Sequence, residues 1–410
     1  MIIYNIFPRL VGKILEWYSH VSRAKQLHFD AIYINPIHLT GYSKSLYAIR
    51  DYNRLDPDFF SVGDGWEEFR QFIAFVRNQG MDLIMDLVIN HTANENSLIQ
   101  QHPEWFRWEN GQVKHPGCWE DGRWVSWGDL AEVENQNGAH ISELRQYWQN
   151  LLNRYTDLGV SGFRCDAAYK LPADLWRFLI HTAKERDPRT LFLAETLGCT
   201  HEETKRTAEA GFDYVFNGLK WWNFNDSWCL DSYSDLRRIT KSIAFPESHD
   251  TERLCKESGG NVEICKQRYL ISCLFSSGVM MPLGFEWGFR QHVDVCQNRK
   301  MEWGLFNIED FISKCNMLKA HYPIFNEECL QFQISYPEDP TLVLKQISNN
   351  GTEAVLILVN KTGQCQTYRR RLKEILGEQA LDISVEDSLG TISECNFTLR
   401  PYQIKILYSL

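Results

Sequence analysis

The stretch DLIMDLVINH, residues 82–91, is an almost unbroken apolar run that ends in polar side chains. A strand with one face in water alternates apolar and polar residues, whereas a continuous run is typical of a parallel strand buried on both faces. Seven further runs share this character. Together the predicted strands cover residues 2–7, 31–36, 82–90, 162–167, 191–196, 212–217, 242–249 and 279–286.

Helical patterns separate these runs, with apolar residues recurring at helical spacing in 66–78, 141–158, 173–186, 232–241 and 263–276. Repeated strand–helix alternation predicts an α/β fold, a (β/α)8 TIM barrel over residues 1–322. A compact insertion rich in tryptophan and glycine, about residues 92–138, follows the third strand. We expect such a segment inside a barrel to be functional.

The pattern changes after Pro323 to short alternating strands, predicted at 330–336, 342–347, 354–359, 366–368 and 403–408. Asn349-Asn350-Gly351 is typical of a hairpin turn. We therefore expect a C-terminal antiparallel β-sandwich domain over residues 323–410.

Composition excludes several classes of protein. The chain has 43 basic and 53 acidic residues, a formal net charge of −10, which argues against a general nucleic-acid binder. No stretch reaches the roughly 18 apolar residues of a membrane span, and the first residues lack the basic lead-in of a signal peptide. The 12 cysteines are scattered without metal-ligand spacing. These features predict a cytoplasmic protein with reduced thiols, no membrane partner and no nucleic-acid partner; its oligomeric state stays open.

Charged and polar side chains follow four of the predicted strands. In barrels the reacting groups lie at the carboxyl ends of strands, so these side chains are expected at one rim. A single acidic residue there is usually a helix cap or turn former, but several like charges on one rim cost stability unless they serve a purpose. The residues are Asp86, Asn90 and His91; Arg164 and Asp166; Glu195; and His249 and Asp250.

Paired carboxylates on adjacent strands suit the cleavage of glycosidic bonds. A retaining enzyme places an ionised carboxylate and a protonated carboxyl about 5 Å apart, close to the ~4.8 Å between neighbouring strands. Arg164 would keep Asp166 ionised by charge pairing. Apolar residues 192–194 precede Glu195 and favour a raised pKa, as a general acid needs.

The ordered motifs resemble those of the α-amylase family, glycoside hydrolase family 13. They are Asp86–His91, Gly162–Ala167, the strand-ending Glu195, the pair His249-Asp250, and the Tyr47-x-x-x-Asp51-Tyr52 run. The resemblance covers nearly the whole chain. It implies that Asp166 is the nucleophile, Glu195 the general acid and base, and Asp250 a third carboxylate that holds the sugar.

The resemblance also implies roles for neighbouring residues. Arg164 would orient Asp166, and Asp86 would support the site. His91 and His249 would hydrogen-bond the sugar, and Tyr47 would form its stacking floor. Barrel-rim packing stays open as an alternative for Tyr47, and a core role for the two histidines.

The sequence departs from the family after the nucleophile. Tyr169 and Lys170 stand where the family often has Lys and His, so acceptor-side binding is in question. A calcium site is not favoured, because Glu120, Asp121 and Asp129 have no calcium-loop spacing; we expect no cofactor. The insertion tryptophans, residues 105, 108, 119, 124 and 127, fit sugar platforms and a small core of the insertion equally well.

The resemblance implies an enzyme that acts with retention on maltooligosaccharide or glycogen-type α-glucosidic bonds, by hydrolysis or by transfer. The runs Ser45–Ile49 and Asp129–Glu132 look similar to α-glucan maltosyltransferases, which use maltose-1-phosphate. A non-catalytic carbohydrate-binding relative is the other alternative, although such relatives usually lose a rim carboxylate.

Overall fold

The computed structural model describes residues 1–120 and 122–409, apart from the side chains of Trp119 and Glu120. Within this part of the chain, eight parallel strands close a barrel in which the last strand pairs with the first. The strands are β1 Ile2–Ile6, β2 Ala31–Ile34, β3 Asp82–Leu87, β4 Gly162–Cys165, β5 Leu191–Ala194, β6 Tyr214–Phe216, β7 Lys241–Ala244 and β8 Gly278–Pro282.

The (β/α)8 barrel prediction is confirmed, but the predicted strands were too long at their carboxyl ends. The last residues of each apolar run turn into the loops above the barrel instead of continuing the ladder. Asp166 and Glu195 therefore each lie one residue beyond their strands, β4 and β5. This position turns both side chains toward the rim.

Strand register sets the levels of the site. Asp86 on β3 pairs with Arg164 on β4, and Cys165 pairs with Ala194 on β5, which places Asp166 and Glu195 one layer above Asp86. A Cβ at position 162 would lie 2.7 Å from the Cβ of Leu191, so only glycine allows this approach of β4 and β5.

Amphipathic helices surround the barrel and bury their apolar faces against it. The predicted helices 66–78, 141–158 and 173–186 are confirmed at their predicted bounds. The predicted bounds 232–241 were wrong. The helix covers Trp228–Leu236, and residues 241–244 form a strand of the barrel instead. The helices are α1 Ile14–Gln26, α2 Trp66–Asn78, α3 Ile141–Leu158, α4 Ala173–Arg186, α5 His201–Ala208, α6 Trp228–Leu236, α7 Val262–Phe275 and α8 Glu309–His321.

The insertion after β3 consists of short antiparallel pairs. Its strands His91–Ala93 and Leu130–Glu132 pair with each other and hold the insertion against the barrel. Trp105 is 4% exposed and belongs to the hydrophobic core, so its platform interpretation was wrong. Trp108 and Trp124 are half exposed, whereas the side chain of Trp119 lies outside the described residues, as does Asp121.

The C-terminal residues form a six-stranded antiparallel sheet and a two-stranded ribbon. Apolar side chains of both, among them Leu356, Leu358 and Phe397, form one buried cluster. The Asn349–Gly351 hairpin is confirmed, but three strands, 380–382, 390–392 and 395–399, escaped prediction. The strands are β9 Leu330–Gln333, β10 Thr341–Ile347, β11 Ala354–Asn360, β12 Gln366–Arg370, β13 Ala380–Asp382, β14 Gly390–Ile392, β15 Cys395–Leu399 and β16 Ile404–Ser409. The domain boundary at residue 322 stays a prediction.

Two further features bear on the expected environment of the chain. Within residues 1–120 and 122–409 no disulfide joins any of the 12 cysteines, and most of them are buried. Among residues 1–120 and 122–409, no helix combines the length and the apolar character that a membrane crossing requires.

Candidate active site

Arg164 is the centre of the charged cluster at the barrel rim. Its side chain is 4% exposed, and one nitrogen, Nη1, lies 3.0 Å from Asp86 Oδ1 and 2.6 Å from Asp166 Oδ1. The other nitrogen, Nη2, lies 4.0 Å from Glu195 Oε2 and 3.8 Å from Asp250 Oδ2. One guanidinium thus contacts or faces four carboxylates, which lie on or after four different strands of the barrel.

This arrangement fixes the charge of Arg164. Burial alone would lower its pKa, but the adjacent carboxylates Asp86 and Asp166 and two tyrosines hold the pKa well above its ordinary value. The guanidinium is therefore a permanent positive charge, and it offsets the repulsion among the carboxylates that surround it.

Asp86 lies beneath the other carboxylates and is fully buried. It accepts hydrogen bonds from Tyr33 Oη at 2.6 Å and Tyr47 Oη at 2.9 Å, as well as from Arg164. Burial, more than any other cause, raises the pKa of Asp86 to about 6. Both of its oxygens therefore have protein donors, Arg164 at each and the two tyrosines at Oδ2. Its supporting role stays a prediction.

Glu195 is held by two backbone amides. Ala167 N donates to Oε2 at 2.9 Å, and Leu197 N donates to Oε1 at 2.5 Å. Ala167 has φ 42°, a left-handed conformation that is costly for a residue other than glycine and that directs its amide toward Glu195. Burial raises the pKa of Glu195 to about 7, with further contributions from Asp166 and Asp250.

Asp166 and Asp250 differ from Glu195 in their access to solvent. The side chain of Asp166 is 13% exposed and that of Asp250 is 48% exposed. Asp166 Oδ1 keeps its short contact with Arg164 Nη1. The cluster therefore contains a carboxylate paired with a cation beside a carboxyl with a raised pKa, the combination that acid–base and nucleophilic roles require.

Tyr47 and His249 form one wall of the site. Their rings are parallel within 9°, with centroids 5.7 Å apart, and Tyr47 Oη lies 2.6 Å from His249 Nε2. His249 Nε2 is also 3.1 Å from Asp250 Oδ2. Since Tyr47 donates its proton to Asp86, His249 carries its proton on Nε2.

Within the described part of the chain, both rim histidines have a ring nitrogen with no hydrogen-bond partner. These atoms are His249 Nδ1 and His91 Nε2, and both are buried. Burial lowers the pKa of each ring, so both are neutral at neutral pH. An unpartnered buried nitrogen costs free energy, and a ligand hydroxyl is a natural partner for it.

Tyr169 and Lys170 lie beside this cluster rather than in it. Lys170 Nζ donates to Gly117 O at 2.8 Å and lies 4.4 Å from the ring centroid of Trp127. Burial lowers the pKa of Lys170. Tyr169 and Lys170 line a cavity of about 610 Å³ between the insertion and the loop that follows β4.

A second ion pair, not predicted from the sequence, fixes the loop that carries His249 and Asp250. Glu247 Oε1 lies 2.6 Å from Arg253 Nη1, and both side chains are buried. Glu247 also accepts from Leu254 N at 2.6 Å. The carboxylate of Glu247, at the start of the loop, therefore binds Arg253 and Leu254 at its end.

Tyr33 and Asn35 are also part of the site and were missed. Asn35 Nδ2 lies 3.1 Å from both Tyr33 Oη and Tyr47 Oη, so it links the two phenols that hold Asp86. Tyr33 lies within β2, and Asn35 directly follows β2 at the rim position that identified the carboxylates. Their position near the carboxyl end of a predicted strand indicates the rim, but the prediction considered mainly charged side chains there.

That the chain needs no calcium stays a prediction. Among the described residues, no three His, Cys, Asp or Glu side chains are grouped as a metal site would require. The Lys170 ammonium already bonds to Gly117 O between the insertion and the loop that follows β4. A second cation beside it would be repelled.

We expect dialysis against EDTA to leave most of the activity intact, because the Lys170 side chain already occupies this junction through its bond to Gly117 O. Initial rates before and after chelation, with added calcium as the control, check this. A loss of activity that calcium restores would contradict it.

Comparison with known proteins agrees with this architecture. The family model for the glycogen debranching enzyme, glucanotransferase domain, matches residues 1–108. Over 374 residues the chain is 23% identical to the α-1,4-glucan:maltose-1-phosphate maltosyltransferase of Burkholderia pseudomallei (strain K96243), covering 87% of this chain and 33% of that protein. Over 198 residues it is 27% identical to probable oligo-1,6-glucosidase 3 of Bacillus subtilis (strain 168), covering 40% of this chain and 34% of that one.

The fold has close structural counterparts. The crystal structure of an α-amylase from Lactobacillus plantarum matches 100% of this chain and 98% of its own, with a TM-score of 0.80 and 20% identity. The chain has a (β/α)8 barrel with a C-terminal antiparallel sheet. In sequence and in fold it is similar to proteins of the α-amylase family, glycoside hydrolase family 13. It spans about a third of the length of the two curated relatives named above.

Proposed function

We propose that this chain is a retaining enzyme of α-glucosidic bonds, a hydrolase or transglycosylase acting on maltooligosaccharides or glycogen-type glucans. The observation that carries the proposal is the convergence of Asp166, Glu195 and Asp250 on the single guanidinium of Arg164. Three carboxylates around one site suit a sugar ring that develops positive charge in the transition state.

The proposed reaction has two displacements. Asp166 attacks the anomeric carbon while Glu195, protonated, gives its proton to the departing glycosidic oxygen; this forms a covalent glycosyl-enzyme and releases the leaving sugar. Water or a sugar hydroxyl then attacks the same carbon, Glu195 takes its proton, and the bond to Asp166 breaks. Two inversions give net retention.

The remaining rim residues bind and orient the sugar in this proposal. Asp250, the most exposed of the three carboxylates, accepts hydrogen bonds from sugar hydroxyls. The unpartnered nitrogens of His91 and His249 bond to further hydroxyls. The ring of Tyr47 packs against the apolar face of the sugar.

A cavity beside the nucleophile loop favours a second candidate, a maltosyltransferase that uses maltose-1-phosphate. Among its described lining residues are four cations, Arg107, Lys114, Lys170 and Arg206, and two carboxylates, Glu132 and Glu203. In a chain of net charge −10, a cationic cavity suits a phosphorylated sugar. The maltosyltransferase similarity over 87% of the chain supports this candidate.

Product analysis separates these activities. The purified protein is incubated with maltoheptaose, alone and with phosphate, and with maltose-1-phosphate plus a glucan acceptor, and products are followed by mass spectrometry. Shorter products alone indicate hydrolysis, a ladder longer than the donor indicates transfer, and growth by two glucose units from maltose-1-phosphate indicates the maltosyltransferase. A protein that converts none of these substrates is the non-catalytic carbohydrate-binding alternative.

We expect kcat/KM to fall above about pH 7, by about tenfold per pH unit, because the reaction needs Glu195 protonated and burial raises its pKa to about 7. A pH profile with maltoheptaose measures this limb. A good leaving group needs no proton from residue 195. The residual kcat/KM of Glu195→Gln for such an aryl glycoside should therefore show no fall above about pH 7. Activity that stays level to about pH 9 would contradict the assignment.

The proposal places the reaction in the cytoplasm. Its support is the burial of most of the cysteines, with no disulfide among the described residues, since buried thiols suit a reducing compartment. Glycogen or maltooligosaccharide is the expected partner.

A further inference from the structure

The loop after β6 and the first residue of α6 carry two exposed tryptophans that the proposed chemistry does not use. Trp221, in the loop, is 53% exposed, and Trp228, at the start of α6, is 42% exposed. The loop leaves the carboxyl end of β6, between the strands that precede Glu195 and Asp250. The pair therefore lies at the same end of the barrel as the catalytic carboxylates.

The two indoles flank one glycine. A Cβ at Gly218 would lie 3.2 Å from the ring of Trp228 and 3.9 Å from that of Trp221. Trp221 also stands edge-on to Phe245, with centroids 6.0 Å apart at 88°. Phe245 directly follows β7, five residues before Asp250, so the pair is continuous with the wall of the proposed site.

Side-chain contacts anchor the loop despite its exposed aromatics. Lys220, whose side chain is 4% exposed, pairs with Glu257 Oε2 at 2.7 Å. Arg268 Nη1 donates to Trp222 O at 2.8 Å, and the ring of Trp222 is fully buried. These two contacts hold the loop, while Trp221 stays exposed.

The backbone pays a conformational cost to hold this shape. Phe224 has φ 65°, a left-handed conformation that a bulky aromatic rarely adopts. Its ring is buried beneath Arg268, and the ring centroid lies 4.2 Å from the guanidinium carbon. The adjacent residues Asn223 and Asn225 are exposed. A strained backbone conformation persists only where surrounding contacts hold it, and such conformations are concentrated at functional sites.

Polar groups suited to hydroxyls lie between the two tryptophans along the chain. Asn223, Asn225 and Asp226 are all exposed, and Asn223 Nδ2 bonds to Asp226 Oδ2 at 2.7 Å. Flat apolar rings interspersed with amides and a carboxylate match the surface of glucose, which presents C–H faces and a belt of hydroxyls. A protein partner or a lipid surface would have less use for these polar groups.

We propose that Trp221 and Trp228 form an aromatic platform that binds α-glucan chains beyond the glucose units next to the cleaved bond. This inference rests on the proposed function and specifies its preference for longer chains. Glucose units of a long substrate stack on the two indoles, while a short substrate does not reach them.

The test compares Trp221→Leu/Trp228→Leu with Trp221→Phe/Trp228→Phe, using maltotriose and maltoheptaose. The leucine variant removes the flat rings but keeps apolar bulk, and the phenylalanine variant keeps a ring for stacking. We expect about a tenfold rise in KM and in the calorimetric Kd for maltoheptaose in the leucine variant, with smaller changes in the phenylalanine variant. Constants for maltotriose should stay within about twofold, since the lost contacts are stacking contacts.

The outcomes separate the two proposals. If the wild-type protein turns over neither sugar, the proposed function fails, and calorimetry with maltoheptaose still tests the platform. If the leucine variant binds maltoheptaose as the wild type does, or loses maltotriose equally, the platform is overturned. Thermal unfolding of both variants shows whether the loop stays folded.

Discussion

Asp166→Asn is expected to lower kcat by roughly 10⁴-fold or more, the scale seen when a residue of a covalent catalytic unit is removed. The amide retains the shape of the carboxylate and an oxygen that accepts from Arg164 Nη1, now 2.6 Å away. It cannot form the glycosyl ester. We therefore expect binding of maltoheptaose to survive while turnover disappears.

Steady-state rates and titration calorimetry on the same preparation check this result. Asp129→Asn, on the insertion, is a matched control with the same change of charge. Turnover of Asp166→Asn within about tenfold of the wild-type rate would show that the nucleophile lies elsewhere, since a true nucleophile is worth far more.

Arg164→Met is expected to reduce the free energy of unfolding by about 3–5 kcal/mol and to remove activity, because it leaves buried carboxylates without their cation. Asp86 is the most affected, since its side chain is fully buried and Arg164 bonds to both of its oxygens. Without the guanidinium, the pKa of Asp86 in the folded protein rises further above its unfolded value.

The pH dependence distinguishes this cause from lost packing. A folded-state pKa raised further above the unfolded one means that the folded protein binds more protons, so stability falls as pH rises. Urea unfolding should therefore show a smaller difference from wild type at pH 5 than at pH 7. Arg164→Lys should recover part of the stability, because it restores the charge without the fork. An equal loss at both pH values would contradict the electrostatic explanation.

The barrel itself could be predicted because its strands have a distinctive pattern. Runs such as 82–87 and 191–194 are apolar on both faces, and only a buried parallel strand uses such a run. The ends were less clear, since apolar residues such as Val88 and Ile89 continue into buried loops above the barrel. Burial, rather than strand pairing, is what the pattern records.

The charged part of the site was predictable for a similar reason. Asp86, Asp166 and Glu195 each end a buried run, and the topology of a barrel brings such ends together. Tyr33 and Asn35 were missed because uncharged side chains at a strand end look like the rest of the run. The Glu247–Arg253 pair was missed because two residues of one loop carry no periodic signal.

Two other features depended on long-range contacts. The strands at 380–382 and 390–392 are short, and their pairing partners set their conformation. The tryptophans of the insertion could not be assigned either, because composition does not tell a buried ring such as Trp105 from an exposed one such as Trp108. Contacts distant in sequence decide both.

Covalent trapping tests the central claim most directly: that Asp166 carries the sugar at a rim shared with Glu195 and Asp250. The wild-type protein is incubated with 5-fluoro-α-D-glucosyl fluoride, digested, and mapped by tandem mass spectrometry. We expect one fluoroglucosyl group, attached to Asp166 and absent when maltoheptaose competes. A label on Asp250, on Glu195 or on any residue outside the rim would contradict the claim.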